Sequence, residues 1–255
     1  MRISNPYKST ASILTLIVLA VMTLMLSWSD VHAGVVLSGT RIVFDQKDKE
    51  ATVQLVNEGG RPSLVQAWID DGDPRASVDE LDVPFIVTPT VFRVEPGRGQ
   101  AIRIIYSGEE LPADKESLFW LNVLDVPPKA TATDDRNVLQ VAFRSRIKLM
   151  YRPTGLQGNP TDAPKALKWS IARDDKQQSV LRAENPSPYV VNLGSVALTV
   201  RGKTFDAGIG YVLPGEAAVF PVKGLNSPDV NGAVISYTSV DDWGSSRAHK
   251  ATVGR

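Results

Sequence analysis

The sequence contains no cysteine, which excludes disulfide bonds, thiolate nucleophiles and cysteine-ligated metal sites. Histidine is almost as scarce: the chain of 255 residues has two, and only six residues follow the second, His249. A Ser–His–Asp triad and a histidine-rich metal site are therefore nearly excluded. We interpret His249 as a solvated residue of the tail. The composition predicts no cofactor, no metal ion and no catalysis.

The chain also lacks an excess of charge of either sign. Lys and Arg together number 28, as do Asp and Glu, so no overall charge attracts nucleic acid or an anionic membrane surface. Asp70, Asp71 and Asp73 are crowded as in a calcium loop, but the glutamate expected downstream at EF-hand spacing is absent. We interpret this segment as a solvated turn between strands. Any electrostatic function must be local.

One long apolar run, residues 11–28, lies near the N-terminus and follows a basic stretch without acids. Val31 and Ala33 then occupy the −3 and −1 positions of a signal-peptide cleavage site. An uncleaved membrane anchor is the alternative, because the run nearly reaches the ~18 residues that can span a bilayer. Strand-like sequence begins directly afterwards, which favours cleavage. The sequence therefore predicts a cleaved signal peptide over residues 1–33 and an exported mature chain over 34–255.

The mature chain shows no convincing helical pattern. Short runs with β-strand character recur every 8–15 residues, separated by turns rich in Gly, Pro and Asp. Up to residue 153 these runs are 35–44, 50–57, 63–69, 90–95, 100–106, 117–126 and 137–153. Seven short strands are the number expected of an immunoglobulin-like β-sandwich.

A break in the strand pattern follows at residues 152–164, which contain three Pro and two Gly. Weaker β-runs then continue through about residues 165–255. We therefore predict an all-β chain of two sandwich domains. The N-terminal domain is expected over residues 34–153 and the C-terminal domain over residues 154–255.

The last run of the first domain, residues 137–153, is unusual. Its odd positions, including Leu139, Val141 and Phe143, are apolar, and its even positions become basic, including Lys148. This alternation predicts one strand of about fifteen residues with an apolar and a basic face, whereas strands usually have about five or six residues. Packing within one domain does not require so long a strand.

The segment LPADKESLFWLNVLDVPP, residues 111–128, resembles the signature of the periplasmic chaperones of the chaperone–usher pathway, which assemble surface pili. Other segments occur in the family's order, so the resemblance covers residues 35–245. They are LSGTRIVFD (37–45), AWI (67–69), EPG (95–97), NVLQ followed by IKLMYRP (147–153), ENPSPYVV (184–191) and DDWG (241–244). The short segment 129–136 before the long strand is similar to the short-loop branch of the family.

The resemblance implies two immunoglobulin-like β-sandwich domains in an L-shaped or boomerang arrangement with a cleft between them. It also implies a periplasmic protein that caps pilus subunits, which lack their last strand, by lending them a strand in donor-strand complementation. The chaperone would then deliver the subunits to an outer-membrane usher. Pilus subunits and the usher are thus the expected partners. The sequence leaves open whether the subunit-free chaperone self-associates through its apolar edge.

The resemblance places the donor strand in the first half of the long run. Backbone groups of residues 138–144 are expected to pair with the subunit, and Leu139, Val141 and Phe143 to enter its apolar groove. The alternative is that this row faces the chaperone's own core. Alternation also places the row and Lys148 on opposite faces. That arrangement requires a bulge or strong twist between them, or a subunit that wraps around the strand.

The resemblance assigns two further sets of residues. Arg41 and Lys148 match the family's basic pair in the cleft, which holds the C-terminal carboxylate of the subunit through charge-assisted hydrogen bonds. Glu116, Arg152 and Asp242 match an ion-pair network at the interdomain junction, which orients the two domains. The alternative for the basic pair is two solvated strand residues. For the network, the aspartate that precedes Asp242 is an alternative member.

Two other functional classes are alternatives to a periplasmic chaperone. A pilus structural subunit or adhesin typically lacks the two-domain plan, the 111–128 signature and the pair Arg41 and Lys148. A carbohydrate-binding or hydrolytic β-sandwich protein typically has a cluster of exposed aromatic residues or paired carboxylates suited to catalysis, and the sequence indicates neither. The sequence therefore favours the periplasmic chaperone.

Overall fold

The structure is a computed structural model that describes residues 34–129, 139–225 and 232–252. The expected signal peptide lies outside these residues, as do Val138 of the expected donor strand and nearly all of the segment 129–136. Within the three described ranges, no helix is long and apolar enough to cross a membrane.

Strands make up almost all of the regular structure, which confirms the all-β prediction. The described residues also contain two short 3-10 helices, Val78–Glu80 and Ala163–Ala166. The strands of the first half are β1 Val35–Leu37, β2 Arg41–Asp45, β3 Glu50–Asn57, β4 Ser63–Asp70, β5 Phe85–Thr88, β6 Val91–Val94, β7 Gly99–Tyr106, β8 Ser117–Val126 and β9 Phe143–Arg152. Those of the second half are β10 Lys168–Arg173, β11 Ser179–Glu184, β12 Val191–Val200, β13 Lys203–Val212, β14 Ala217–Pro221, β15 Val234–Val240 and β16 Ser246–Thr252.

The first half of the chain folds as a sandwich of two sheets, with strand orders β1-β3-β7-β5 and β2-β9-β8-β4-β6. Alternate residues of both sheets point inward, and their apolar side chains form one core. Its most deeply buried members, each 1% exposed or less, include Phe44, Leu55, Ile102, Leu121 and Leu149. Each side chain of this size contributes about 1.5–3 kcal/mol when buried, so this core holds the two sheets together.

The second half folds as a second sandwich, with strand orders β10-β11-β14 and β13-β12-β15-β16. Its core is separate from the first and includes Leu181 and Leu198. The ring of Trp169 lies at its centre, with ring centroids 6.0 Å from Phe220 and 5.1 Å from Tyr237. The chain therefore has two immunoglobulin-like β-sandwich domains, as the sequence predicts. The described residues of both sandwiches together form one compact unit.

The single strand predicted over residues 35–44 is wrong, because the structure divides it in two. β1 pairs antiparallel with β3, whereas β2 pairs parallel with β9 in the opposite sheet. Residues 38–40, which include Gly39, carry the chain from one sheet to the other. The sequence pattern also misses β5, which is only four residues long.

The length predicted for the strand over residues 137–153 is wrong as well. β9 begins at Phe143 and has 10 residues, and residues 139–142 are not part of a strand. The alternation itself is correct in the second half of the run. Ile147 and Leu149 point into the core, and the even positions point away from it.

The pairing of β9 with β8 excludes one explanation that the sequence left open. The register is continuous from the pair Phe143–Asp125 to the pair Tyr151–Ser117. A bulge would shift this register by one residue. Between Phe143 and Lys148 the paired strand therefore contains no bulge, and the two side chains lie on opposite faces.

His249 is not a solvated tail residue, contrary to the sequence interpretation. It lies in β16, which pairs with β15 along its whole length, and its ring stacks on Tyr237 with centroids 5.0 Å apart. Its Nε2 is 2.8 Å from Ser239 Oγ. Burial lowers the pKa of His249, and Lys165 and Arg247 add to this effect. The imidazole therefore packs against the second sandwich.

Candidate functional site

Arg41 and Lys148 lie side by side at the boundary between the two domains. They are direct partners in the parallel pairing of β2 with β9, and both point away from the first core toward the second domain. Lys148 Nζ donates a hydrogen bond to Asn192 Oδ1 at 2.5 Å, and Arg41 Nη1 donates one to the carbonyl of Val240 at 3.0 Å. Residues of both domains therefore form the surroundings of the two cations.

The charges of the two cations are only partly compensated. Among the described residues, no carboxylate lies within ion-pair distance of either one, and the buried Nε of Arg41 has no hydrogen-bond partner. Burial, and then the charge of Arg41, lower the pKa of Lys148 to about 8. Burial also lowers the pKa of Arg41, although Asp242 and Asp241 oppose this effect. A bound anion would relieve this imbalance, because it supplies the missing opposite charge.

Aromatic rings line the lysine side of this site. Lys148 Nζ lies 4.5 Å from the ring centroid of Tyr211 and 5.4 Å from that of Trp120. The two rings are themselves in edge contact, with centroids 5.9 Å apart. Such rings attract a cation through their negative faces and shield it from water. They therefore fix the position of the ammonium group without neutralising its charge.

The structure brings Glu116, Arg152 and Asp242 together. Arg152 Nε donates to Glu116 Oε1 at 2.6 Å, and the two terminal nitrogens of Arg152 donate to Asp242 at 2.8 and 3.2 Å. Glu116 Oε2 accepts a further bond from the backbone N–H of Val190 at 2.7 Å. The adjacent Asp241 instead accepts backbone N–H bonds within its own turn. The aspartate of the network is therefore Asp242.

The charges of this network are balanced within the protein. Burial raises the pKa of Glu116, while Arg152 and the backbone N–H of Val190 act in the opposite direction. Burial alone would lower the pKa of Arg152, but its bonds to Asp242 and Glu116 outweigh this effect and raise it. Glu116 belongs to the first domain and Asp242 to the second. The network therefore links the domains through Arg152, the last residue of β9.

Leu139, Val141 and Phe143 are exposed, with 87%, 46% and 66% of their surface accessible. The alternative that this row faces the chaperone's own core is therefore wrong. Phe143 does share the core-facing side of β9 with Ile147, but it lies beyond the end of the core. The row thus forms an apolar surface without a partner among the described residues.

One edge of β9 is only half covered. β8 pairs with residues 143–151, but on the other side β2 pairs only with residues 148–152. Among the described residues, no strand pairs with residues 143–147 on that side. The open part of the edge therefore ends at Lys148, next to Arg41.

A polar cluster that the sequence pattern does not predict joins β4, β8 and β9 next to this edge. Asp70 is not in a solvated turn, as the sequence suggested, but is the last residue of β4 and only 1% exposed. It accepts hydrogen bonds from both Arg146 Nε, at 3.1 Å, and Arg146 Nη2, and one from Asn122 Nδ2 at 2.6 Å. Burial would raise the pKa of Asp70, but the bonds from Arg146, Asn122 and the Gly72 N–H outweigh it and lower the pKa.

Arg144 extends the same cluster toward the start of β9. Its Nε and Nη2 donate to Asn122 Oδ1 at 2.9 and 2.6 Å. The guanidinium of Arg144 lies 4.9 Å from the ring centroid of Trp68, and that of Arg146 lies 4.1 Å from Trp120. These contacts hold the even positions of β9 against the neighbouring strands and leave the edge along residues 143–147 free. The basic residues at even positions of this run are the sequence feature that indicates such a cluster. Their acidic partner, Asp70, lies 76 residues before Arg146, so no local pattern links the two.

The remaining chemistry of the described residues is limited. No group of three or more His, Asp or Glu side chains in the described ranges is placed to hold a metal ion. The cation pair and the open edge of β9 are therefore the features that a binding partner can use.

Comparisons with known proteins identify relatives of the whole chain. The family model described as "Pili and flagellar-assembly chaperone, PapD N-terminal domain" matches residues 34–157, and "Pili assembly chaperone PapD, C-terminal domain" matches residues 162–251. The probable fimbrial chaperone YadV of Escherichia coli K12 is 42% identical over 229 residues, which cover 89% of this chain and 92% of the relative. The chaperone protein FimB/FhaD of Bordetella pertussis is 41% identical over 226 residues, covering 87% and 89%.

Solved structures agree with these matches. The crystal structure of YadV chaperone aligns with a TM-score of 0.74 at 40% identity and covers 86% of this chain and 99% of the other. The structure of the Salmonella enterica SafA pilin in complex with the SafB chaperone contains a chain that aligns with a TM-score of 0.71 at 26% identity, covering 88% and 98%.

The ion-pair network predicts a large difference between two arginine substitutions. Arg152→Ala removes the cation from Glu116, whose side chain is 1% exposed, and loss of one partner of a buried pair typically costs about 3–5 kcal/mol. Arg182 forms an exposed pair with Glu184, so Arg182→Ala is expected to cost about 0–1 kcal/mol. Urea denaturation of both variants measures the difference. Equal free energies of unfolding would contradict the structural role of Arg152.

Proposed function

The chain belongs to the PapD family of pilus-assembly chaperones, and on this premise we propose that it captures pilus subunits in the periplasm by donor-strand complementation. Its relatives are named as chaperones, which is a non-enzymatic role. The observation that carries the proposal is the position of the cation pair Arg41 and Lys148 at the end of the open edge of β9. The SafB chaperone, which holds a pilin, supports the choice of a pilus subunit as partner.

Arg41 and Lys148 are suited to bind the C-terminal carboxylate of the subunit. A carboxylate in a partly dry cleft requires charge-assisted donors, and these bonds are stronger than bonds between neutral groups. The pair offers the ammonium of Lys148 and the guanidinium of Arg41, whose Nε has no partner, and no carboxylate among the described residues forms an ion pair with either cation. Their closeness also makes the free cleft unfavourable for two positive charges, which favours the anion further.

The direction of the bound strand follows from this placement. β2 covers one side of β9 from Lys148 onward, and a subunit strand would cover the same side over residues 143–147. For its C-terminal carboxylate to reach Arg41 and Lys148, the strand must run from residue 143 toward residue 148. It therefore runs parallel to β9, as β2 does, and its backbone bonds give affinity that tolerates sequence variation.

Leu139, Val141 and Phe143 would fill the apolar groove left by the missing strand of the subunit. Each side chain of this size contributes about 1.5–3 kcal/mol on burial, so the row contributes about 4–9 kcal/mol before ordering costs. A strand bonded to an edge lies in the plane of the sheet and has access to both of its faces. One subunit can thus contact this row on one face of β9 and Lys148 on the other, without a bulge.

We also propose the later steps that the family implies. The chaperone delivers the subunit to an outer-membrane usher, where strand exchange between subunits releases it. The incomplete subunit retains folding free energy that can drive this exchange, so no cofactor is needed. When no subunit is bound, the open edge of β9 is available to a second copy of the chaperone, and we propose this edge as the route to self-association.

The cation pair is tested by two substitutions. Arg41→Ala and Lys148→Ala should each abolish recovery of a co-expressed pilus subunit, because a poorly compensated carboxylate in the cleft costs about 2–5 kcal/mol. Lys168→Ala, at an exposed lysine of the second domain, is the matched control and should leave recovery unchanged. Recovery is measured as soluble complex purified from the periplasm, and circular dichroism verifies folding. Wild-type amounts of complex with both cleft variants would overturn the carboxylate assignment.

Subunit binding should also depend on pH through Lys148. The ammonium is protonated below its pKa of about 8 and loses its charge above it, so affinity should fall as the pH rises from 7 to 10. Lys148→Arg keeps its charge over this range and should flatten the profile. Calorimetry with a peptide of the last subunit strand, with a free or an amidated C-terminus, measures the effect. Identical pH profiles for the wild-type chain and the Lys148→Arg variant would contradict it.

The donor row is tested at its central residue. Val141→Asp should weaken capture of the subunit strongly, because a carboxylate would have to enter an apolar groove. Val219→Asp, at a similarly exposed valine of β14 in the second domain, is the matched control and should not affect capture. Both are measured as soluble complex recovered per chaperone. Unchanged capture by the Val141→Asp variant would place the groove contact elsewhere on the chaperone.

A further inference from the structure

Asp125 is a buried carboxylate with only half of its hydrogen bonds. It lies near the end of β8, is 8% exposed, and points toward the core side of the sheet, like Leu121 and Val123. Its Oδ2 accepts a hydrogen bond from the backbone N–H of Val35 at 3.0 Å. Its Oδ1 is buried and has no partner. A buried carboxylate that has one hydrogen bond and no cation beside it is costly, so a partner of opposite charge would stabilise it.

The described residues do not supply a cation for this carboxylate. No Lys, Arg or His side chain in the described ranges lies within ion-pair distance of Asp125. Gly34, directly before β1, lies beside this carboxylate. A Cβ atom added to Gly34 would overlap Asp125 Oδ2, so any side chain at this position would clash with the carboxylate.

Gly34 is also the residue that the expected signal-peptide cleavage would expose. Hydrolysis of the bond between Ala33 and Gly34 consumes one water and leaves a carboxylate on Ala33 and an amine on Gly34. The amine takes up a proton below its pKa of about 8 and becomes an ammonium group. The carbonyl of Gly34 accepts a bond from the Glu58 N–H at 3.1 Å, which holds the residue beside Asp125.

We propose that the α-ammonium group of Gly34, created by removal of the signal peptide, forms an ion pair with Asp125 through Oδ2, the carboxylate oxygen that faces Gly34. Because glycine carries no side chain, the ammonium can rotate into the space that a Cβ would occupy. A small relaxation brings it to about 2.8 Å from the carboxylate, the usual length of a charge-assisted bond. The precursor has an uncharged amide at the same place and cannot form this ion pair.

The position of Asp125 connects this ion pair to the binding edge. Asp125 is the cross-strand partner of Phe143, the first residue of β9, and Val35 belongs to the opposite sheet. The ion pair would therefore join the two sheets at the point where the exposed apolar row leaves the sandwich. Removal of the signal peptide would thus complete the end of the first domain that the proposed subunit contacts. The ion pair itself rests on the cleavage site and not on the proposed function.

The experiment compares two mature chains exported to the periplasm. One begins at Gly34, the other retains Ala33 as an additional first residue, and each is also made with Asp125→Asn. Mass spectrometry of the purified proteins establishes the first residue. Asp79→Asn, at an exposed aspartate of the same domain, is the matched control.

The chain that begins at Gly34 should melt about 4 °C higher than the chain that retains Ala33, because only the former positions its ammonium at Asp125. This difference should disappear with Asp125→Asn and persist with Asp79→Asn. Equal melting temperatures of the two starting chains, or an equal difference in the Asp125→Asn background, would overturn the proposal. So would natural cleavage at a different bond.

A second measurement does not require that the Asp125→Asn variant folds. The pH dependence of acylation of the α-amine of the wild-type mature chain gives the pKa of this amine. Pairing with a buried carboxylate should raise it from the usual value of about 7.7–8.0 to about 9. An unshifted value would show that the ammonium does not bind Asp125.

Discussion

The organisation of the first domain depends on where β2 stops covering the edge of β9. The chain crosses between the two sheets at residues 38–40, so β2 begins only at Arg41 and leaves residues 143–147 of β9 unpaired. This one crossing creates the open edge and places Arg41 at its end beside Lys148. A longer β2 would cover the edge, and a shorter one would move the arginine away from the lysine. The open edge and the position of the cation pair are therefore consequences of the same backbone path.

The two charged sites at the domain boundary differ in how far their charges are balanced by neighbouring residues. Arg152 forms ion pairs with two carboxylates of the protein, whereas Arg41 and Lys148 form no ion pair among the described residues. A buried pair whose charges balance orients its surroundings more reliably than it stabilises them. Two neighbouring cations that are not balanced instead raise the free energy of the unbound protein and favour the binding of an anion.

Several features could be predicted from sequence because they depend on local patterns or on motif resemblance. Period-two alternation predicted the apolar odd-numbered face of the run, on which Ile147 and Leu149 are buried, and turn residues indicated the two sandwiches. The resemblance placed Arg41 and Lys148 together, although 107 positions separate 41 from 148. Alternation cannot show where a paired strand begins, so the length of β9 was wrong. The bonds between Asp70 and Arg146 depend on the register of three strands, which no local pattern contains.

Arg41 donates a hydrogen bond to Val240 and Lys148 donates one to Asn192. Residues of both domains therefore position the cation pair. The second domain provides no residue of the proposed donor row, yet its Val240 carbonyl and Asn192 side chain accept hydrogen bonds from the two cationic groups. Divergence of the second domain is therefore constrained even where it touches no subunit. A chimeric chaperone made from the first domain of this chain and an unrelated second domain would retain β9. It would lose the hydrogen bonds that hold Arg41 and Lys148 in place wherever the new domain does not supply them.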